Sequence, residues 1–219
     1  MKNLVVIVFS LLLFGSCTKS DDTSSTAPIN NNFYYSLDTS IIHYKFKVGS
    51  YWVYRNDSTA VLDSITTDSI ETGYNTIQPG VMGGSGSYGE YYKMKMHSFA
   101  TNQYYADVLW GSNIVRNGTW NSYGWHPYVG TPIFQSNCDT GTVWSAMKII
   151  AKFPSMTINS NTFYTIGESK ITASLQLEPD FAHNTYLFYS PSVGLIKKEE
   201  DLGGGNIQSW SILRWHVVR

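Results

Sequence analysis

The sequence predicts an all-β protein: a single antiparallel β domain, built as a half-barrel, barrel or sandwich, behind a signal peptide and a flexible tether. Three observations carry this prediction. Apolar and polar residues alternate with period two over much of the chain beyond Asn32. Gly, Pro, Asn and Asp interrupt that pattern at short intervals. No segment sustains the 3.6-residue spacing of an amphipathic helix. The expected domains are 1–16, 17–32 and 33–219.

The composition agrees. The 219 residues include 16 Tyr, 10 Phe and 7 Trp, and only 14% are charged. An ordinary soluble domain carries about 25% charged residues, so this surface rests on Ser, Thr, Asn and Tyr. Such low charge with 42% apolar content excludes a polyelectrolyte-like disordered chain. A net charge of −1 supplies no positive field for tracking phosphates, so no nucleic-acid partner is expected.

The first element is an address. Lys2 provides a positive start, and Leu4–Phe14 is an apolar run. It falls short of the roughly 20 residues that a bilayer-spanning helix needs. The small residues Gly15 and Ser16 then precede Cys17. This stretch resembles the lipobox of bacterial lipoproteins. The resemblance implies a diacylglyceryl group on the Cys17 sulfur, cleavage before it by signal peptidase II, and anchoring in the outer membrane. Several acyl chains, at about 0.8 kcal/mol per buried CH₂, hold stably.

Thr18–Asn32 has almost no apolar side chain and cannot offset the entropy of ordering. It reads as a tether with an r.m.s. span of roughly 20 Å. Within it, Lys19-Ser20-Asp21-Asp22 resembles the acidic export signal of Bacteroidetes surface lipoproteins, and a solvated linker has the same composition.

The β domain follows. Ile42, Tyr44, Phe46 and Val48 alternate with His43, Lys45 and Lys47 and predict a strand. So do Tyr92, Met94 and Met96, and the stretch from Ser209 to Trp215. Further strands are expected over 51–55, 60–66, 104–110, 114–116, 163–167, 170–177, 185–189 and 194–198. Residues 144–152 fit a helix or a strand equally. Turn residues at Asn56-Asp57, Asn117-Gly118, Glu178-Pro179-Asp180 and Gly203-Gly204-Gly205 separate the elements. Residues 78–90, with the Gly-rich run Gly83–Gly89, read as a hairpin loop. Lys197-Lys198-Glu199-Glu200-Asp201 reads as a solvated strand end that deters edge pairing.

Two motifs carry a family resemblance. Gly49-Ser50-Tyr51-Trp52-Val53-Tyr54 fits Gly-x-x-Trp-x-Tyr, and Val193-Gly194-Leu195-Ile196 closes a pattern that begins at Met156–Phe163. Both resemble β-rich lipoproteins of the Bacteroidetes type. The likeness implies one continuous domain with Gly194 at a tight bend, and no activity.

Chemistry is sparse. The five histidines lack metal-ligand spacing, so neither metal nor other cofactor is expected. There is no Gly-x-Ser-x-Gly elbow. Cys138 is a lone thiol that His126 could activate, or a half-buried structural cysteine. Glu90 and Asp107 are conceivable paired carboxylates, or strand-end solvation. Asp57-Ser58-Thr59, Asp63-Ser64-Ile65 and Asp68-Ser69-Ile70 resemble the Bacteroidetes O-glycosylation sequon, and a wet strand face gives the same string.

The densest aromatic cluster is Thr119–Val129, where Trp120, Tyr123, Trp125 and Tyr128 surround His126. Rigid rings beside amide and imidazole groups suit a sugar or a peptide, and they equally suit the cap of a β core. The expected function is therefore a membrane-anchored, non-catalytic binding or envelope-interaction module, with a glycan, a peptide or an envelope protein as partner. One alternative is a lipid or lipoprotein carrier with an apolar cavity lined by Met94, Met96 and Phe99. A hydrolase without a visible motif is the other.

Overall fold

The computed structural model describes residues 34–77, 87–117, 131–173 and 181–219, all within the compact unit Asn32–Arg219. They form thirteen strands of one sheet: β1 (Tyr34–Tyr35), β2 (Tyr51–Asn56), β3 (Leu62–Ile77), β4 (Ser87–Ser98), β5 (Gln103–Trp110), β6 (Asn113–Asn117), β7 (Thr131–Gln135), β8 (Val143–Trp144), β9 (Met147–Ile158), β10 (Asn161–Ile171), β11 (Asn184–Ser190), β12 (Gly194–Asp201) and β13 (Ile207–His216). The order β7-β6-β5-β4-β3-β2-β13-β12-β11-β10-β9-β8 is antiparallel throughout, and the short β1 pairs in parallel with the start of β4. The all-β prediction holds, and the architecture is a nearly closed barrel.

β7, at one end of that order, meets β10, the third strand from the other end, without a backbone ladder. Ser169 on β10 donates its hydroxyl to the carbonyl of Ile133 on β7. Beside it the Phe134 ring lies over Gly167, so close that a Cβ there would sit 2.6 Å from the ring. Phe134 in turn packs on Tyr189, with ring centroids 4.7 Å apart, and on Tyr44 at 5.6 Å. The absent Cβ of one glycine thus allows an aromatic residue of β7 to seat against β10.

Residues 42–48 correct the sequence reading. Tyr44 and Phe46 are buried while Ile42 and Val48 are exposed, yet Ile42–Tyr44 is a 3₁₀ turn and no strand pairs there. The alternation reports burial of a strap whose Leu37, Ile41, Tyr44 and Phe46 fill the core. The strap is pinned by Asp38 N–H to Gly111 C=O (2.9 Å), Leu37 N–H to the Glu90 carboxylate (3.0 Å) and the Tyr92 hydroxyl to Phe46 C=O (3.0 Å).

The two family-like motifs lock onto each other. The Trp52 indole N–H donates to Val193 C=O at 2.6 Å, and the Tyr54 hydroxyl to Leu195 C=O at 2.7 Å. Gly194 between these acceptors has φ +97°, and a Cβ there would meet Phe46 at 3.1 Å.

Other boundaries moved for physical reasons. The expected strand at 163–167 and the first two residues of that at 170–177 merge into β10, whose register slips between Glu168 and Ser169; residues 174–177 lie outside the described residues. In the distal half of the β9–β10 hairpin, Thr165 takes φ +57° opposite Pro154; this pair is absent from the ladder while the register on either side of it is unchanged, so the hairpin's bulge is the one at Glu168/Ser169. Its tip reaches β2 and β13: Arg55 donates to the Asn159 side-chain oxygen (3.0 Å), and the Asn159 amide to Ile212 C=O (2.8 Å). Residues 143–144 and 147–152 are strand rather than helix. Ser87–Glu90, expected in a loop, belongs to β4. Lys197–Asp201 is no edge, because β12 is flanked by β11 and β13.

Candidate functional site

Cys17, Trp120, Tyr123, Trp125, His126 and Tyr128, the residues the sequence singles out, lie outside the described residues, as do Gly83–Gly86. The described part of the barrel nevertheless contains a polar cavity of about 250 Å³. Its walls come from β2, β3, β5, β6, β12, β13 and the β4–β5 turn.

The floor is an ion pair. Arg116 on β6 stands opposite Asp107 on β5, as the register requires. Its Nε and Nη2 donate to the two carboxylate oxygens at 2.8 and 2.9 Å. The guanidinium also lies 4.2 Å from the Tyr105 ring centre. Burial opposes the Arg116 charge, but Asp107 outweighs it and holds the guanidinium firmly protonated. The remaining nitrogen, Nη1, makes no hydrogen bond to a described residue, on a side chain that lines the cavity. Beneath it, a chamber of about 30 Å³ is lined by Tyr189, Tyr54, Met94 and Met96 among others, and the buried Tyr189 hydroxyl has no partner among the described residues. That volume suits roughly one water molecule.

The other charged groups of the walls are also held by fixed partners. Lys198 and Glu200, two apart on β12, face the same side and sit 3.0 Å apart. Asp63 on β3 accepts the Ser98 hydroxyl at 2.9 Å and the Ala100 N–H at 3.0 Å, fixing the β4–β5 turn. Against these committed groups stand uncommitted ones. The amides of Gln103 and Gln208 and the indole N–H of Trp210 line the same cavity and make no side-chain hydrogen bond to a described residue. Across the β12–β13 ladder, Trp210 pairs with Lys198 and Gln208 with Glu200, which puts all four on one face.

The site therefore uses residues the sequence reading passed over or placed elsewhere. Lys198 and Glu200 had looked like a solvated end. The one available signal was period two in Trp210 and Gln208, and it does not reveal what lies across the barrel.

The other candidates take structural places. Glu90 is bound to Leu37 N–H and to Lys45 (3.2 Å), and Asp107 to Arg116, so neither carboxylate is free to act as one of a catalytic pair. The Cys138 thiol donates to Gln135 C=O at 3.3 Å, and burial pushes its pKa up, the reverse of an activated nucleophile. Asp57 accepts the Ser211 hydroxyl at 2.8 Å, and Asp68 that of Thr66 at 2.7 Å. His97 stacks on Tyr104, and His216 on Tyr51. Among the described residues no cluster of His, Cys, Asp and Glu could hold a metal. Met94 and Met96 border only the small chamber, while Phe99 is exposed beside His97, so these three do not line one apolar cavity.

A larger cavity of about 570 Å³ flanks the closure, between Tyr44, Phe134, Ile149, Phe153 and Ile166, with Lys152 and His43 at its margin.

The described barrel is thus an antiparallel β module with a cavity whose ionised groups are held by fixed partners. No protein-family model and no curated protein matches the chain. Two solved structures are similar to it. One is from Parabacteroides distasonis ATCC 8503 and carries a lipoprotein assignment; it is 13% identical, covers 78% of this chain and 96% of its own, and gives a TM-score of 0.43. The other, from Bacteroides fragilis NCTC 9343, is assigned as an exported protein with a YmcC-like fold; it is 9% identical, covers 84% and 99%, and gives 0.42.

Proposed function

We propose that the chain is an outer-membrane lipoprotein, anchored through acyl chains on Cys17, whose β domain is a non-catalytic binding or envelope-interaction module. One observation carries the binding reading. The cavity's ionised groups are each committed, Arg116 to Asp107, Lys198 to Glu200 and Asp63 to the β4–β5 turn, while its amides and the Nη1 of Arg116 have no hydrogen-bond partner among the described residues. A hydrolytic site has the opposite character, with an ionisable group held ready beside a reacting atom. The anchor rests on the apolar run, the small residues and the cysteine at 4–17. Its partners are the membrane and a glycan, a peptide or an envelope protein, met at the cell surface or in the periplasm.

Labelling with radioactive palmitate tests the anchor. The wild-type chain takes up label and sediments with membranes, whereas Cys17→Ser takes up none and becomes soluble. Label-free wild type together with membrane-bound Cys17→Ser overturns it. The carrier alternative draws on the 570 Å³ cavity, which lies in the usual ligand-pocket range of about 300–1,000 Å³. Native mass spectrometry of the same purified protein decides it, since co-purified lipid favours carriage.

A further inference from the structure

We infer that the 250 Å³ cavity binds one ring of a neutral saccharide, an inference that rests on the binding-module reading and gives it a site and a ligand class. The size comes first. The cavity lies just under the usual range for small-molecule pockets, which suits a single sugar-sized ring and not a peptide or a folded partner.

The hydrogen-bonding inventory comes second. Gln103 and Gln208 each offer an NH₂ donor and a carbonyl acceptor, and Arg116 Nη1 adds donors. An acyl chain placed there would strand these groups, at a cost for each polar group desolvated without a partner. A polyhydroxylated ring, whose hydroxyls both donate and accept, satisfies them.

Charge comes third. An anion would face the carboxylates of Asp63 and Glu200, while the Arg116 charge is already met by Asp107. A cation would face Lys198 and would find the carboxylate of Asp63 already held by the Ser98 hydroxyl and the Ala100 N–H. Both are disfavoured relative to a neutral ligand. Last, Trp210 supplies a half-buried aromatic side chain on the β13 wall, the surface on which the C–H face of a sugar ring packs.

The test uses the purified full chain with methyl glucoside, methyl galactoside, methyl mannoside and methyl N-acetylglucosaminide as neutral probes. Glucose 6-phosphate and glucosamine are the charged counterparts, and saturation-transfer NMR with titration is the readout. At least one neutral glycoside binds, and the charged sugars bind at least about tenfold more weakly. Gln103→Ala and Gln208→Ala each weaken binding up to about tenfold, the loss of one hydrogen bond, without moving the unfolding midpoint. Both side chains sit at the cavity with no hydrogen bond to a described residue to lose, so these variants fold. The inference is overturned if no neutral glycoside binds, or if binding survives both glutamine substitutions unchanged. Binding that survives them but disappears in Trp125→Ala also overturns it, and leaves the broader binding-module reading standing with its site elsewhere.

Discussion

The closure of the barrel and its polar cavity are built from the same sheet by opposite means. At the closure, β7 and β10 have no ladder between them, yet contact is tight: Phe134 enters the space of a missing Cβ at Gly167, and a single hydroxyl bridges Ser169 to Ile133. At the cavity the ladders run continuously from β12 through β13 and β2 to β3, with one register shift between Ile212 and Arg214, yet the side chains leave a hole. Backbone pairing therefore does not decide where this barrel is full. Side-chain size and charge at facing positions do. Apolar rings close one region, and paired ions hold the other open because their partners lie on the same or the neighbouring strand rather than across the space.

The sharpest way to break the comparison is to unpair the cavity floor. Asp107→Ala leaves the Arg116 guanidinium buried without its counter-charge, at an expected cost of about 3–5 kcal/mol. Replacing both, Asp107→Leu with Arg116→Met, removes the stranded charge and recovers most of that loss. Chemical denaturation of the single and double variants measures it. A single variant as stable as wild type would mean that water in the cavity solvates Arg116 well enough for the pair to be dispensable.

The closure should respond to volume instead of charge. Gly167→Ala places a methyl group 2.6 Å from a ring that Tyr44 and Tyr189 prevent from moving aside. The expected cost is about 1–3 kcal/mol, the usual range for overpacking. Adding Phe134→Leu should relieve part of it, and the non-additivity of the two changes reports their contact.

What the sequence reveals follows the same division. The ladder-forming strands β2, β5, β11, β12 and β13 are legible because each has at least one buried face, and burial on a pleated strand has period two. β7 escapes notice because Pro132 speaks against a strand, yet among the described strands β7 ends the sheet order, a position where a missing N–H is tolerated. The strap at 42–48 misleads because Tyr44 and Phe46 bury themselves without pairing. The cavity is illegible for a different reason. Arg116, Lys198 and Gln208 come together only when strands about 80 to 90 residues apart face each other across the barrel. No local pattern encodes that, whereas the resemblance at Trp52, Tyr54 and Gly194 pointed to residues that do meet.

The smallest expected effect lies where the strap crosses β4, and it separates hydrogen bonding from charge. Glu90 accepts the Leu37 N–H and pairs with Lys45, and these contacts, the backbone bond first, hold its carboxyl below its ordinary value of 4.5. A carboxylate whose folded pKa is depressed adds stability above its unfolded pKa, and that contribution fades as the pH falls through the folded value. Because the group is only part-buried and solvent still screens its pair with Lys45, Glu90→Gln should cost less than about 1 kcal/mol at pH 7. The deficit should shrink as the pH drops below 4.5, where the wild-type side chain also becomes neutral. Denaturation midpoints of both proteins, taken from pH 7 to pH 3, measure the trend. A deficit that persists unchanged in acid would assign the strap's attachment to the shape of the carboxamide and carboxyl groups against Leu37 N–H, and leave no role for the charge. A deficit that closes assigns it to the ionised carboxylate, and would set the strap, like the cavity floor, among the parts of this barrel held by charge rather than by packing.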